Sequence, residues 1–358
     1  MIKSIDFIDT YHQDIVHDIS FDWYGNRIAT CSSDRKVKIF YKIGATQWKK
    51  IYEFTAHDAE VRKVKWAHPD FGSIIATCSY DKSVIIWEEP KLNYTLVNGV
   101  LQPKENENNS WIYKTKLLDS KESIEDIKFA PRFMGLMLAT ASAEGIFRIY
   151  EAPDIMNIAS WRMIHEENAC FYGINSISWN KNPFDPPMLA IACKDINTSF
   201  QKAINQDNLE NPPSLRIYIS QEKWKCLRTL PEPEDKYCKV QHRFGVNDVS
   251  WAGINGRSFE LIASGGKDGI IVWYLRYEVG KLLLIKAEMI SCNDIGVWKV
   301  SWNMMATILA SSDERNIVRV WKNSGDKWRC IGIIKEEQDF EDKRINEDDE
   351  EFQLMYNN

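Results

Sequence analysis

Internal repetition constrains this chain more than any motif it carries. The stretch "IATCSSDRKVKIF", Ile28 to Phe40, returns 47 residues later as "IATCSYDKSVIIW", Ile75 to Trp87, with eight of thirteen positions identical. A catalytic nucleophile is needed once per domain, whereas a supersecondary unit that cannot bury its own apolar face has to be stacked in copies. A triplet Ile/Val-x-Trp/Phe occurs six times, as Ile19-Ser20-Phe21, Val64-Lys65-Trp66, Ile127-Lys128-Phe129, Ile177-Ser178-Trp179, Val249-Ser250-Trp251 and Val300-Ser301-Trp302. Each leads into a run of small residues, among them "LATASAE", "LAIACKD" and "LASSDE", and then into an alternating apolar run. Those runs end on Phe40, Trp87, Tyr150, Tyr218, Tyr274 and Trp321. Alternation with a period of two, rich in Val, Ile and aromatics and punctuated by Gly, Asp and Ser, predicts short strands.

The closing aromatics are 47 to 68 residues apart. That spacing fits a four-stranded unit of about 40 to 45 residues with loop insertions, the blade of a WD-type β-propeller. Particular residues carry the resemblance to WD-repeat proteins. His12, His57 and His242 stand nine positions before Phe21, Trp66 and Trp251, and Asp34, Asp81, Glu144 and Asp268 stand six before a closing aromatic. In WD repeats such residues join a Ser or Thr and the closing Trp in a hydrogen-bonded set that pins a turn to its strands. The resemblance therefore implies structural roles for His12, Asp34, His57, Asp81, Trp87, His242 and Asp268. Ser120 and Asn293 fill the histidine position in the third and sixth copies. A nucleophilic triad around His57 is the competing explanation, but a triad needs one exposed constellation beside an oxyanion site, not a recurring one.

Composition narrows the function. Lys and Arg number 45 against 51 Asp and Glu, a net charge of −6, which is a poor footprint for direct nucleic-acid binding. The opening "MIKSIDFIDT" has no apolar leader region and no stretch approaches a membrane span, so neither secretion nor direct membrane insertion is expected. None of the eight cysteines forms a CxxC pair. Cys31 and Cys78 occupy the small-residue slot that holds Ala141 in the third copy, so they read as buried small apolar residues. Disulfides are not expected in a reducing compartment. His17, His68 and His165 fall singly outside the repeat, so no metal is expected. "SGGKDG", Ser264 to Gly269, lacks the ending of a phosphate loop. No cofactor and no enzymatic activity are expected.

The repeats place an all-β propeller over residues 1–333, with polar surface-loop insertions at 93–110 and 197–213 and an acidic, disordered tail over 334–358. Every repeat has its own outer strand, "WKKIYEF", "WIYKTKLL", "WRMIHEE", "WKCLRTL", "LLLIKAEM" and "WRCIGII". Six blades of four strands leave only "IKSIDFID", Ile2 to Asp9, which runs into His12 as "IYEFTAH" runs into His57. It reads as the outer strand of a seventh blade whose other three strands are absent. An open ring would expose strand edges and apolar blade faces, a liability that folded proteins cover.

Closer resemblance is carried by "DIVHDISFDWYGNRIATCSSDRKVKIF" and "VKWAHPDFGSIIATCSYDKSVIIWEE". These are similar to the first blades shared by the Sec-type outer-coat protein of COPII vesicles and the Seh-type nucleoporins. "DSKESIEDIKFAPRFMGLMLATASAEGIFRIYEAPDIMNIASW", Asp119 to Trp161, resembles the Seh-type nucleoporins alone. The resemblance implies a non-enzymatic scaffold subunit of the nuclear pore Y-complex, at the nuclear envelope. It also implies membership of the SEA/GATOR complex, which regulates TOR signalling at the lysosome or vacuole periphery. The implied partner is an α-helical scaffold nucleoporin donating three strands in trans to complete the seventh blade, next to an edge formed by Ile2, Ile5, Phe7 and Ile8. The alternatives are a COPII-type coat subunit and a peptide-binding WD adaptor.

Overall fold

The computed structural model describes residues 8–44, 47–90, 94–97, 100–103, 111–194, 215–221, 223–232, 240–242, 244–253, 256–290, 295–325 and 327–335. Within them the chain is all-β, a propeller of six four-stranded antiparallel sheets, each a meander in chain order. Blade 1 consists of Val16–Phe21, Arg27–Ser32, Lys36–Lys42 and Trp48–Thr55; blade 2 of Val61–Trp66, Ile74–Ser79, Val84–Glu88 and Ile112–Leu117. Blade 3 consists of Ile124–Phe129, Met137–Ser142, Ile146–Glu151 and Arg162–Asn168; blade 4 of Ile174–Trp179, Met188–Cys193, Leu215–Ser220 and Trp224–Leu230. Blade 5 consists of Asp248–Trp251, Glu260–Gly266, Gly269–Glu278 and Lys281–Ile290; blade 6 of Val297–Trp302, Ile308–Asp313, Ile317–Asn323 and Trp328–Lys335. Each triplet ends the first strand of its blade, and each of the six outer-strand segments forms a fourth strand. First strands of successive blades pack side by side from blade 1 to blade 6, so they line the axis.

Alternation along the strands turns one face of each sheet toward the preceding blade and the other toward the next. The core is accordingly divided into five apolar clusters, one at each junction from 1–2 to 5–6. The junction of blades 2 and 3 is representative. Ala76, Cys78, Val84 and Ile86 of blade 2 meet Ile127 and Leu138 of blade 3, all nearly without solvent contact. Burying a side chain such as Ile127 contributes about 1.5–3 kcal/mol.

The tight turn between second and third strands recurs in detail. Arg35, Lys82, Gly145 and Asn316 occupy one turn position with positive φ in blades 1, 2, 3 and 6. Blade 3 needs glycine there, because a Cβ on Gly145 would lie 1.5 Å from the Cys170 carbonyl oxygen.

The insertion expected as a loop at 93–110 contains a two-stranded antiparallel pair, Tyr94–Val97 with Val100–Pro103. Its sequence, "YTLVNGVLQP", has β-formers on either side of Asn-Gly, a strong short-range hairpin signal that the polar surroundings obscured. The insertion at 197–213, Ile2 to Phe7, and the tail beyond Lys335 lie outside the described residues.

Candidate partner interface

The repeating histidines and aspartates come together in blades 1 and 2. His12 Nδ1 lies 2.8 Å from Asp34 Oδ2 and its Nε2 lies 2.9 Å from Thr30 Oγ1. His57 repeats the geometry, 2.9 Å from Asp81 Oδ2 and 2.8 Å from Thr77 Oγ1, and Trp87 Nε1 donates to the same hydroxyl at 3.0 Å. Burial lowers the pKa of His12 against the opposing pull of Asp34. Burial alone would raise the Asp34 and Asp81 carboxyls. Hydrogen bonds from His12 and the backbone at Asp34, and from His57 and Ser83 at Asp81, outweigh it and hold both below the usual carboxylate range. Both nitrogens of each ring are engaged and the two side chains are buried, which leaves neither ring open to act as a base on a bound substrate.

Blades 3, 4 and 5 vary this arrangement. In blade 3, Ser120 stands in the histidine slot 3.5 Å from Glu144, Arg148 pairs with Glu144 at 2.8 Å, and Tyr150 donates to Asp119 at 2.9 Å. In blade 5, His242 Nε2 lies 2.8 Å from Ser264 Oγ, and burial drops the histidine to about 4 against the pull of Asp268. The indole on that hydroxyl belongs to Trp273, at 2.8 Å, and not to the expected Tyr274. The Gly266–Gly269 turn is a residue tighter, since Ser264 and Trp273 are nine apart where Thr77 and Trp87 are ten. Tyr274 instead accepts from Asn323 and Trp328 and donates to Glu288.

Blade 4 overturns the expectation of free thiols, because Cys170 and Cys193 form a disulfide. Cys170 stands nine residues before Trp179, in the histidine slot, and the Ala169 amide binds the Gly145 carbonyl as Ala56 binds Arg35 ahead of His57. Cys193 aligns with Ser32 and Ser79. The loop and strand that a histidine ties by hydrogen bonds in blades 1 and 2 are here held with a Cα–Cα separation of 6.0 Å, a distance suited to a disulfide. The missed signal was the spacing of nine, hidden by the change of residue type. Among the described residues, no cluster of three or more His, Cys, Asp and Glu could hold a metal.

The junction between blades 6 and 1 differs from the other five. None of the five clusters bridges it, and its first strands do not pack as the others do among the described residues. Ile19 of blade 1 is 52% exposed, whereas Val64, Ile127, Ile177, Val249 and Val300 at the same register are 0–3% exposed. Phe21 is 57% exposed where Trp179 and Trp251 are buried. On the other side, Ala310, Ser312, Val318 and Val320 of blade 6 are only half-buried. Their counterparts in blade 1, Ala29, Cys31, Val37 and Ile39, are buried, as are those in the other four blades. The blade 1 face is thus open to solvent along its first strand, at Ile19 and Phe21, while Ile28 and Phe40 on the same face are buried, and the facing side of blade 6 is half-open.

The WD domain, G-beta repeat family matches residues 6–40 and 48–88. The chain is 36% identical over 345 residues to Nucleoporin SEH1 of Danio rerio, covering 90% of this chain and 85% of the relative. It is 37% identical over 337 residues to Nucleoporin SEH1 of Homo sapiens, covering 90% and 86%. It is also 37% identical over 335 residues to Nucleoporin SEH1-A of Xenopus laevis, with the same coverage. The chain belongs to the SEH1 family of nucleoporins.

In this SEH1-family propeller the rim of the open junction is apolar as well. The residue two ahead of each triplet reaches the next blade in the five closed junctions. His17 lies 3.7 Å from Glu60, Arg62 binds Glu125 at 2.9 Å, and Glu125 lies 3.6 Å from Lys194. Asn175 donates to the Val246 carbonyl and Asn247 to that of Val297, both at 2.9 Å. In blade 6 the position is Trp298, 60% exposed. At the opposite end of the strands, matching turns expose Trp23 and Tyr24 in blade 1, where Trp23 also meets His68 of blade 2 edge-on, and Met304 and Met305 in blade 6. Each turn is closed by a side chain, Asp22 binding the Asn26 amide and Asn303 the Thr307 amide, both at 2.8 Å. Of the expected edge residues, Ile8 is half-buried and outside any strand, and Ile2, Ile5 and Phe7 lie outside the described residues.

Proposed function

We propose that this chain is a non-enzymatic scaffold subunit of the nuclear pore complex, placed in the outer-ring Y-complex at the nuclear envelope. An α-helical scaffold nucleoporin donates a blade in trans to the open junction. Backbone pairing of the donated blade with the segment of Ile2, Ile5, Phe7 and Ile8, and apolar burial at the two blade faces, hold it there. The observation that carries this reading is the contrast between exposed Ile19 and its five buried counterparts. The nucleoporin name shared by its relatives supplies the assembly. The histidine and aspartate sets serve as structural ties, and no residue is assigned a catalytic role. The same junction serves the SEA/GATOR complex at the lysosome or vacuole periphery.

Affinity purification of the tagged full chain should recover an α-helical scaffold nucleoporin, and Phe21→Asp should remove it while the propeller stays folded. The tagged chain should mark the nuclear rim and lose that signal with the same substitution. Recovery of vesicle-coat subunits, or of short peptides held at the channel mouth, would overturn the proposal.

A further inference from the structure

Around the axis, the first strands show a two-blade alternation that specifies part of what fills the open junction. At one register the odd blades carry Asp18, Asp126 and Asp248, and the even blades carry Lys63, Ser176 and Lys299. Each aspartate accepts the backbone N–H that opens the triplet of the next blade: Val64 at 3.3 Å, Ile177 at 3.0 Å and Val300 at 2.9 Å. In blade 4 the even-blade group bridges the carboxylates on either side, and in blade 2 Lys63 stands in the field of Asp18 and Asp126. Ser176 Oγ binds Asp126 at 3.0 Å and Asp248 at 2.6 Å.

The sequence of aspartate acceptors stops at the open junction. Ile19 has the register of Val64, each pairing with a threonine of its second strand. Its N–H therefore points toward the axis as that of Val64 does, although in blade 3 the equivalent Ile127 N–H is taken by that blade's own Asp126 at 3.0 Å. Lys299, with no seventh blade beside it, stretches across the gap to Asp18 at 2.8 Å. Asp18 already holds Lys65 and the Val64 amide. Four ammonium groups, Lys63, Lys65, Lys128 and Lys299, stand against three carboxylates, and all but Lys63 are paired directly with one of them. The axial ring thus carries one ammonium group more than it has carboxylates, and Lys299, beside the gap, shares Asp18 with Lys65.

We propose that the polypeptide filling the junction carries an Asp or Glu on its innermost strand, one residue ahead of its own apolar triplet. That carboxylate accepts the Ile19 N–H and takes Lys299 from Asp18, continuing the odd-blade pattern into the seventh position. This rests on the reading of the junction as the site of a blade donated in trans. It adds a charge register to a surface otherwise defined by apolar burial, and so sets which strand register the partner can adopt.

The test uses the full chain co-expressed with the α-helical scaffold nucleoporin of the same cell. Thermal unfolding of each variant serves as a folding control. Phe21→Asp probes the junction alone, and Lys299→Glu and Lys299→Met probe the charge. Lys299→Glu should weaken the complex by about tenfold or more and Lys299→Met by less, and added salt should narrow both differences from the unsubstituted chain. Cross-linking from position 299 should reach an acidic residue of the partner, whose reversal to Lys should restore binding to Lys299→Glu. If Phe21→Asp abolishes binding and Lys299→Glu leaves it unchanged, the carboxylate is wrong and the junction reading stands. If Phe21→Asp leaves binding intact, the junction reading fails with it.

Discussion

The junction between blades 2 and 3 and the junction between blades 6 and 1 are built from the same strand positions and the same residue classes, yet they end in opposite environments. Ile127 is fully buried against Ala76, Cys78 and Ile86. Ile19, at the equivalent place, is half in water. A blade face is therefore apolar because of where the sheet points, and its burial depends on whether a neighbour is present. An apolar side chain left exposed at a repeat position marks a place that something else is meant to cover.

The largest effect expected from this comparison is a difference between two matched truncations. Ile127→Ala should cost about 2–5 kcal/mol of stability through lost transfer energy and a cavity. Ile19→Ala should change the isolated chain by less than about 1 kcal/mol, because the side chain is already hydrated. Urea unfolding of both variants alone and of Ile19→Ala with its partner checks this. Equal costs in the isolated chain would mean that blade 1 has a covered face after all.

Next in size is the disulfide of blade 4. Cys170 and Cys193 close a loop with a sequence separation of 23, and on chain-entropy grounds such a link contributes about 3 kcal/mol. Peptide mapping without reductant should return the two cysteines joined. Cys193→Ser should lower the unfolding midpoint as much as reductant lowers that of the unsubstituted chain. Because the link lies two junctions from the gap, partner affinity should be the same with and without it. A shift in affinity would show that blade 4 and the open junction are coupled.

A somewhat smaller effect concerns pH. The folded-state pKa of His242 is about 4 against an ordinary 6.5. Above pH 6.5 the ring is neutral in both the folded and the unfolded chain. As the pH falls, the unfolded chain takes the proton first, so stability is lost between pH 6.5 and 4, by at most about 3 kcal/mol. His12 is shifted in the same direction and adds to the loss as the pH falls. Asp34 and Asp81, shifted downward, contribute stability above the ordinary carboxylate range that disappears only in stronger acid. Urea midpoints at pH 7 and pH 5 should therefore differ, and His242→Gln should reduce the difference. The opposite trend, greater stability at pH 5, would contradict the buried neutral ring.

Much of this was legible before the strands were seen, and the misses have physical causes. The six triplets and six outer strands are strong period-two signals and sit where expected. The sequence points to Tyr274 and not to Trp273, because the length of a tight turn is invisible in an alternation that continues through both residues. Cys170 stands at the right distance from Trp179, but a thiol does not resemble a histidine, so the spacing alone does not reveal its role. The open junction was inferred from counting strands. Its chemistry was not, because Trp298 and Lys299 gain their meaning only beside the polar and acidic residues that hold their positions in other blades. Those comparisons depend on which blade lies next to which, a property of the closed or open ring and not of any one repeat.

Trp298 gives the sharpest division between fold and assembly, with the smallest effect on the fold. The five polar residues at its position each reach the following blade, and an indole cannot copy those contacts. Its 60% exposure is explained by a neighbour supplied from outside, since an aromatic desolvated in a contact contributes heavily to binding. Trp298→Ala should leave the stability of the isolated chain within about 0.5 kcal/mol while weakening the complex by about 2 kcal/mol or more. Trp298→Asn, which restores the residue type of Asn175 and Asn247, should do the same, because in blade 6 there is no following blade in the chain for an amide to reach. Trp298→Phe should retain most of the affinity. The difference in fluorescence between the unsubstituted chain and Trp298→Phe should shift to shorter wavelength when the partner binds. Unchanged affinity with Trp298→Ala would place the partner away from this rim, and a large loss of stability in the isolated chain would mean that the indole is already packed within it.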